Sequence, residues 1–194
     1  VTDPGSPLDL DARAKRFTVI NADLKVGGRF SALTAFGLTP ATLMGVDSSV
    51  LLDQAGDCRT QLINEPSTVL DVAYLLLTQN KQYLGFTDSG SNFPGLSDWI
   101  EQLIAESTGK DQEGRLPIAT EGFKEATGGG AFSVAFAPGA ELSVSAELGE
   151  HFLFWEWVTA LMGAALEVDP FNQPNVTEAK EATSAVLKEW DNKL

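Results

Sequence analysis

The sequence predicts a helix-rich α/β fold with a mainly parallel sheet flanked by helices. Short apolar runs at 82–86, 116–119 and 131–137 are typical of buried strands, and helical stretches separate them. Hydrophobic residues make up 43% of the 194 residues and charged residues 21%, which is enough apolar material for a packed core. This length suits one domain with an extra piece at one end.

The N-terminal part is predicted to be mostly helical. Helices are expected at 8–16, 30–44, 48–63 and 68–79. Pro40 is expected to divide the second of these into two helices meeting at Thr39-Pro40. The β-branched, apolar run at 17–20 indicates a short buried strand.

The second half alternates strands and helices, as a parallel sheet requires. An amphipathic helix at 96–108 lies between the first two apolar runs, and a glycine-rich loop at 122–130 precedes the third. A continuation of that strand region is possible at 142–146. The longest helix, 148–168, is apolar nearly all round and should be buried, and an amphipathic helix at 175–190 follows.

The charge balance excludes several partners. The formal net charge is −14, from 13 basic and 27 acidic residues, so the chain should repel nucleic acid and anionic membranes. No apolar run is long enough to span a bilayer, and no signal peptide is recognisable at the start. The single cysteine, Cys58, cannot form an internal disulfide, which fits a cytoplasmic location.

The first candidate for chemistry is the turn Gly27-Gly28 followed by Arg29. Glycines let the backbone approach a ligand closely, and an arginine at the start of a helix suits an oxyanion or a phosphate. The alternative is an ordinary glycine turn beside a surface arginine.

The second candidate is Glu106, which apolar residues precede near the end of the 96–108 helix. Gln102 lies four residues earlier and therefore shares its helix face. Such a carboxylate can act as a general base. The alternative is a solvated glutamate on an ordinary helix.

The third candidate is the segment 169–180, where two prolines and two asparagines surround Gln173 and Lys180 follows. Rigid loops held by buried elements often carry function, although a plain helix-to-helix connector has the same composition. His151 and Cys58 are interpreted as structural. No CxxC or HExxH spacing occurs, so neither a metal site nor a cofactor is expected.

Taken in order, the three segments resemble the phosphoglucose isomerase (glucose-6-phosphate isomerase) family. VGGRFSALTAFGL is similar to its glycine-glycine-arginine signature, DWIEQLIAESTGK to its catalytic-glutamate helix, and DPFNQPNVTEAK to its closing signature. The resemblance extends from Thr2 to about Lys180. The start, TDPGSPL, together with LIAESTGK, resembles the actinobacterial branch and its relatives fused to transaldolase.

The resemblance implies a three-layer fold of the sugar-isomerase (SIS) type. Residues 1–27 would hold the last helix and strand of a preceding SIS domain plus a linker, and 28–194 the C-terminal SIS domain. The phosphate-gripping serine and threonine loop of the family's first domain has no counterpart here. The chain would then be the C-terminal part of a longer enzyme, inactive on its own and a homodimer when complete.

The implied reaction interconverts glucose 6-phosphate and fructose 6-phosphate through a cis-enediol, without a cofactor. By resemblance Glu106 would be the base, Arg29 would stabilise the enediol oxygens, and Lys180 would assist at the ring oxygen. Gly28, Gln102 and Gln173 would bind the substrate. The alternative is a non-catalytic SIS module that only binds sugar phosphates.

Two positions depart from the family pattern. The family's ring-opening histidine has no counterpart in 122–130, and His151 falls in a different helix, so its role is not transferred. Asn172 stands where the family usually has aspartate. This change keeps the hydrogen-bonding shape and loses one charge, so its effect should be mild.

Overall fold

The core of the fold is a four-stranded, wholly parallel sheet. A computed structural model describes residues 1–111, 113–172 and 174–191, without the side chains of 174–177 and 191. The strand order is β2-β1-β3-β4. In chain order the strands are β1 (Tyr83–Thr87), β2 (Pro117–Thr120), β3 (Ala131–Ala135) and β4 (Leu142–Ser143). The predicted helix-rich α/β fold with a parallel sheet flanked by helices is therefore confirmed.

Helices make up most of the remaining described residues. They are α1 (Pro7–Ala14), α2 (Ala35–Leu43), α3 (Ser48–Asn64), α4 (Ser67–Thr78), α5 (Leu96–Thr108), α6 (Phe123–Ala126), α7 (Leu148–Ala165) and α8 (Pro174–Asp191). Within the described ranges, none of these helices has the length and apolar character needed to cross a membrane.

The centre of the core is α7, which packs against α3, α4 and α5. Trp155 of α7 is fully buried and meets the Phe86 ring of β1 edge-on, with ring centroids 5.5 Å apart. The crossing with α3 is very close, because a Cβ atom at Gly149 would lie 2.1 Å from the Leu51 carbonyl oxygen. Only glycine permits that approach.

The opposite face of the sheet is covered by the one-turn helix α6. Gly85 points away from the Phe86 side, because successive residues of a strand face opposite ways. A Cβ atom there would lie 2.7 Å from the Ala126 carbonyl oxygen at the end of α6. The sheet thus lies between α6 on one side and the larger helical layer on the other. Strand β1 contacts both layers, α7 through Phe86 and α6 through Gly85.

Two predicted features of the N-terminal part are wrong. Residues 17–20 form no strand, and Phe17 is 67% exposed. In the described part of the chain, the β pairing of this segment is limited to an isolated Thr2–Asn21 bridge. None of the described strands lies beside it to pair with. Pro40 does not end a helix either, since it lies inside α2. Proline removes only one backbone hydrogen bond there, and the short helix tolerates that loss.

The later elements follow the prediction with smaller differences. The region predicted as a loop at 122–130 contains α6, and the possible continuation at 142–146 is the two-residue strand β4. Helix α7 ends at Ala165, three residues earlier than predicted, because the backbone turns at Glu167 with a φ of 59°. The described side chains of α8 from residue 178 onward are all exposed.

Candidate active site

The site is centred on Glu106, in the last turn of α5. Leu103 and Ile104 are buried on the inner face of this helix, whereas the Glu106 side chain is 36% exposed. Gln102, one turn earlier, donates from Nε2 to the Glu106 Oε1 atom at 3.0 Å. The predicted sharing of one helix face by these two residues is therefore observed, and the amide orients the carboxylate.

Arg29 reaches Glu106 from a distant part of the chain. It lies in a 3₁₀ turn, Gly28–Phe30, and its side chain is only 2% exposed. Nη1 lies 3.4 Å from the Glu106 Oε2 atom, and Nε donates to Ser107 Oγ at 2.9 Å. The guanidinium thus binds two neighbouring residues of α5, which fixes its plane beside the carboxylate.

The same guanidinium holds the loop 169–172. Its Nη2 atom donates to the carbonyl oxygens of Pro170 at 2.7 Å and Asn172 at 3.1 Å. The Phe171 ring packs against Phe30 with centroids 5.0 Å apart. Arg29 therefore links the end of α5, which carries Glu106, to the beginning of the closing motif. The order of these segments along the chain does not indicate this contact.

Asn172 contributes its backbone to this contact. The carbonyl oxygen accepts from Arg29, and any residue type at this position offers the same acceptor. An aspartate at this position would keep this hydrogen bond.

The remaining predicted site residues are less closely tied to this cluster. Gly28 precedes Arg29, and its carbonyl oxygen accepts from Ser31 Oγ at 2.7 Å, while the space where a side chain would lie is open. Gln173 lies outside the described residues. Lys180 is exposed on α8, and no described contact joins its side chain to Glu106 or Arg29. Its role stays a prediction.

Two residues of the cluster were missed by sequence reasoning. Ser107 is fully buried, and Lys110 is 8% exposed with its ammonium donating to the carbonyl oxygens of Asp169 and Asn172, the latter at 3.1 Å. Both lie in the same sequence segment as Glu106. No sequence pattern distinguishes them from ordinary polar residues at a helix end.

The electrostatics of the cluster run against those of the whole chain. Arg29 and Lys110 are two buried cations, while the chain carries a formal charge of −14. Burial lowers the pKa of both groups, the Arg29 charge lowers that of Lys110 further, and the charges of Glu106 and Asp169 act in the opposite direction on Arg29. The arrangement supplies local positive charge beside a carboxylate, which suits an anionic substrate.

His151 is confirmed as a core residue. It is fully buried between the rings of Phe93 and Phe136, with centroids 5.7 Å and 5.1 Å away. Neither ring nitrogen has a hydrogen-bond partner among the described residues. Burial lowers its pKa to about 4, so the imidazole is neutral near pH 7. The ring has no exposed surface through which it could contact a molecule in solution.

A separate cavity of about 460 Å³ adjoins the Phe30 and Phe171 rings. Glu156 of α7 lines it, and its Oε1 atom is buried without a hydrogen-bond partner in the described part of the chain. Burial raises the pKa of this carboxyl to about 8. Glu156 is therefore mostly protonated near pH 7.

The stability of the fold should consequently fall on the alkaline side. The Glu156 pKa is higher in the folded than in the unfolded chain, so its stabilising contribution is present at low pH and is lost as the pH rises through about 8. His151 has the opposite sign, because its folded pKa of about 4 is depressed, and its contribution is complete above about pH 7.

We expect the free energy of unfolding to fall by on the order of 1–2 kcal/mol between pH 6.5 and 8.5. Urea unfolding at both pH values measures it. Glu156→Gln should remove the decrease, and Glu178→Gln on exposed α8 should keep it. An equal decrease in both variants would contradict this account.

The fold has a close counterpart among solved structures, although no protein-family model matches the chain. The crystal structure of a hypothetical protein from Thermus thermophilus superposes with a TM-score of 0.78. The superposition covers 96% of this chain and 62% of that protein, at 23% sequence identity. This similarity establishes a shared α/β fold and nothing about activity.

Curated proteins give a more specific similarity. Several of the relatives are named glucose-6-phosphate isomerase. The chain is 30% identical over 127 residues to the one from Methanocaldococcus jannaschii, covering 62% of this chain and 32% of that protein. The chain is 32% identical over 131 residues to the one from Campylobacter jejuni, and the match covers 64% of this chain and 32% of that protein. It is 37% identical over 101 residues to the one from Heliobacterium modesticaldum, and the match covers 48% of this chain and 22% of that protein. The chain thus spans a third or less of these relatives.

Proposed function

We propose that this chain is the C-terminal catalytic part of a longer glucose-6-phosphate isomerase. The observation that carries the proposal is the contact of the Glu106 carboxylate with Arg29 and Gln102. The similarity to several curated isomerases supports the same activity. The substrates would be glucose 6-phosphate and fructose 6-phosphate, interconverted through a cis-enediol.

In the proposed reaction Glu106 is the base. Its carboxylate removes the proton from carbon 2 of the open-chain aldose and returns it to carbon 1. The hydroxyl proton of oxygen 2 passes to oxygen 1 in the same conversion, so that the carbonyl moves from carbon 1 to carbon 2. The side chain is partly exposed, so a substrate can reach it, and Gln102 holds one of its oxygens. Arg29 lies beside the carboxylate and supplies positive charge to the enediol oxygens.

The other roles follow from the resemblance. Lys180 would assist at the ring oxygen, Gln173 would line the sugar site, and the backbone at Gly28 would approach the substrate closely. The open space at Gly28 is compatible with that approach. A preceding SIS domain, with residues 1–27 as its last part, would grip the phosphate. We further propose a cytoplasmic homodimer for the complete enzyme, in the branch related to transaldolase fusions.

A coupled assay tests the activity. The longer protein that carries this chain should convert fructose 6-phosphate to glucose 6-phosphate, measured through a dehydrogenase that oxidises the product. Residues 1–194 alone should show little turnover, because the phosphate-gripping loop is not among them. No turnover by the longer protein would refute the isomerase assignment. Full turnover by residues 1–194 would refute the proposal that a preceding domain is needed to bind the phosphate.

The alternative is a non-catalytic module that binds sugar phosphates. The buried position of His151 favours it, because the residue is unavailable for ring opening. The placement of Glu106 between an arginine and an amide favours catalysis, because a binding module does not need a base. Binding of fructose 6-phosphate without turnover would support the alternative.

A further inference from the structure

We infer that Lys110 is a positioning residue of the site, which holds the loop 169–172 together with Arg29. This inference rests on the proposed function. The loop leads directly into Gln173 and to α8, which carries Lys180. Lys110 itself would not touch the substrate and would act through the segment that it holds.

The first argument is the convergence of two cations on one short backbone segment. The Lys110 ammonium donates to the carbonyl oxygens of Asp169 and Asn172, and Arg29 donates to those of Pro170 and Asn172. The Asn172 carbonyl accepts from both, each at 3.1 Å. A carbonyl oxygen has two lone pairs, so this double acceptance uses its full capacity.

The second argument is burial. Lys110 is 8% exposed, and lysine is rarely buried unless its charge is paired. No carboxylate lies within ion-pair distance of its ammonium in the described part of the chain, and backbone carbonyls take that place. Because an unpaired buried charge is strongly unfavourable, the ammonium and the carbonyls hold each other in place.

The third argument is that the rest of the loop is already held from other sides. Pro170 packs so closely on α7 that a Cβ atom at Gly163 would lie 2.8 Å from its ring, and Phe171 packs on Phe30. These apolar contacts fix the middle of the loop. Lys110 holds its two ends, Asp169 and Asn172, and the second end leads into the rest of the closing motif.

Lys110 also connects this loop to the proposed base. It lies four residues after Glu106, just beyond the end of α5. Arg29 contacts both Glu106 and the loop. The two cations thus join the base and the closing motif into one unit, and a displacement of about 1 Å at such a site can lower turnover by about 10²-fold.

The test compares Lys110→Met with Lys110→Arg in the longer protein. Lys110→Met should lower kcat by about tenfold to 10²-fold while KM changes less than threefold. Lys110→Arg keeps the charge and the donors and should recover most of that loss. The matched control Lys124→Met, at an exposed position on α6, should leave both constants unchanged.

Amide hydrogen exchange supplies a readout that does not depend on activity. In Lys110→Met the peptide covering 166–172 should exchange faster, with α5 and α7 unchanged. Unchanged exchange would refute the holding of the loop, and faster exchange with unchanged kcat would refute its importance for turnover. If Lys110→Met does not fold, Lys110→Gln takes its place, and the same outcomes support or refute the proposal. An inactive wild type would refute the proposed function, while the exchange result would still decide the role of Lys110.

Discussion

Glu106→Gln in the longer protein is expected to lower kcat for sugar-phosphate isomerisation by about 10²–10⁴-fold, the contribution of a positioned general base. Glutamine has nearly the same size and keeps one oxygen acceptor, but it cannot take up a proton near neutral pH. The surrounding structure should persist, because the side chain is partly exposed and its helix is anchored by Leu103 and Ile104.

Two measurements separate this loss from a general defect. The coupled assay gives kcat, and calorimetric titration with a sugar phosphate gives the dissociation constant, which should change less than about threefold if the base acts only on the proton. Glu178→Gln on exposed α8 is the matched control and should behave as wild type. Turnover close to wild type in Glu106→Gln would refute the assignment of the base.

Arg29→Lys should lower kcat by about 10²–10³-fold, the scale typical for loss of one preorganised donor to a developing negative charge. The substitution keeps the charge but loses the planar fork. Arg29 uses three nitrogens for four acceptors: Ser107, Glu106, Pro170 and Asn172. An ammonium at the end of a lysine cannot reach these acceptors together, so the enediol charge would lose an aligned donor.

The matched control for this substitution is Arg59→Lys, on an exposed position of α3. It should leave kcat and KM unchanged. Steady-state kinetics of both variants in the longer protein measure the difference, and urea unfolding confirms that each variant is folded. Equal activities of Arg29→Lys and wild type would show that charge alone suffices and would contradict the role given to the guanidinium geometry.

The sequence predicted the fold well where a local pattern coincides with burial. The three apolar runs became the buried strands of a parallel sheet, and the amphipathic stretch at 96–108 became α5 within its predicted bounds. Residues 17–20 show the limit of such reasoning. Their apolar, β-branched composition favours a strand. A strand needs a neighbouring edge, however, and among the described residues these have an isolated bridge in place of a paired strand.

The candidate site was predicted only in part. The pairing of Gln102 with Glu106 followed from helical spacing alone. The part played by Lys110 did not, because a lysine after a helix end is exposed in most proteins, and its burial depends on the loop that folds over it. The buried carboxyl of Glu156 was missed for a similar reason, since its helix is apolar on nearly every side.

The amino-acid sequence by itself determined the residue types of the site and the elements that carry them, because periodicity and turn chemistry act over a few residues. The tertiary structure alone decided that they meet. Arg29 contacts Glu106 across 77 positions of the chain and Pro170 across 141. Contacts at such separations depend on how the helices pack on the sheet. The spacing of residues within one segment does not predict that packing.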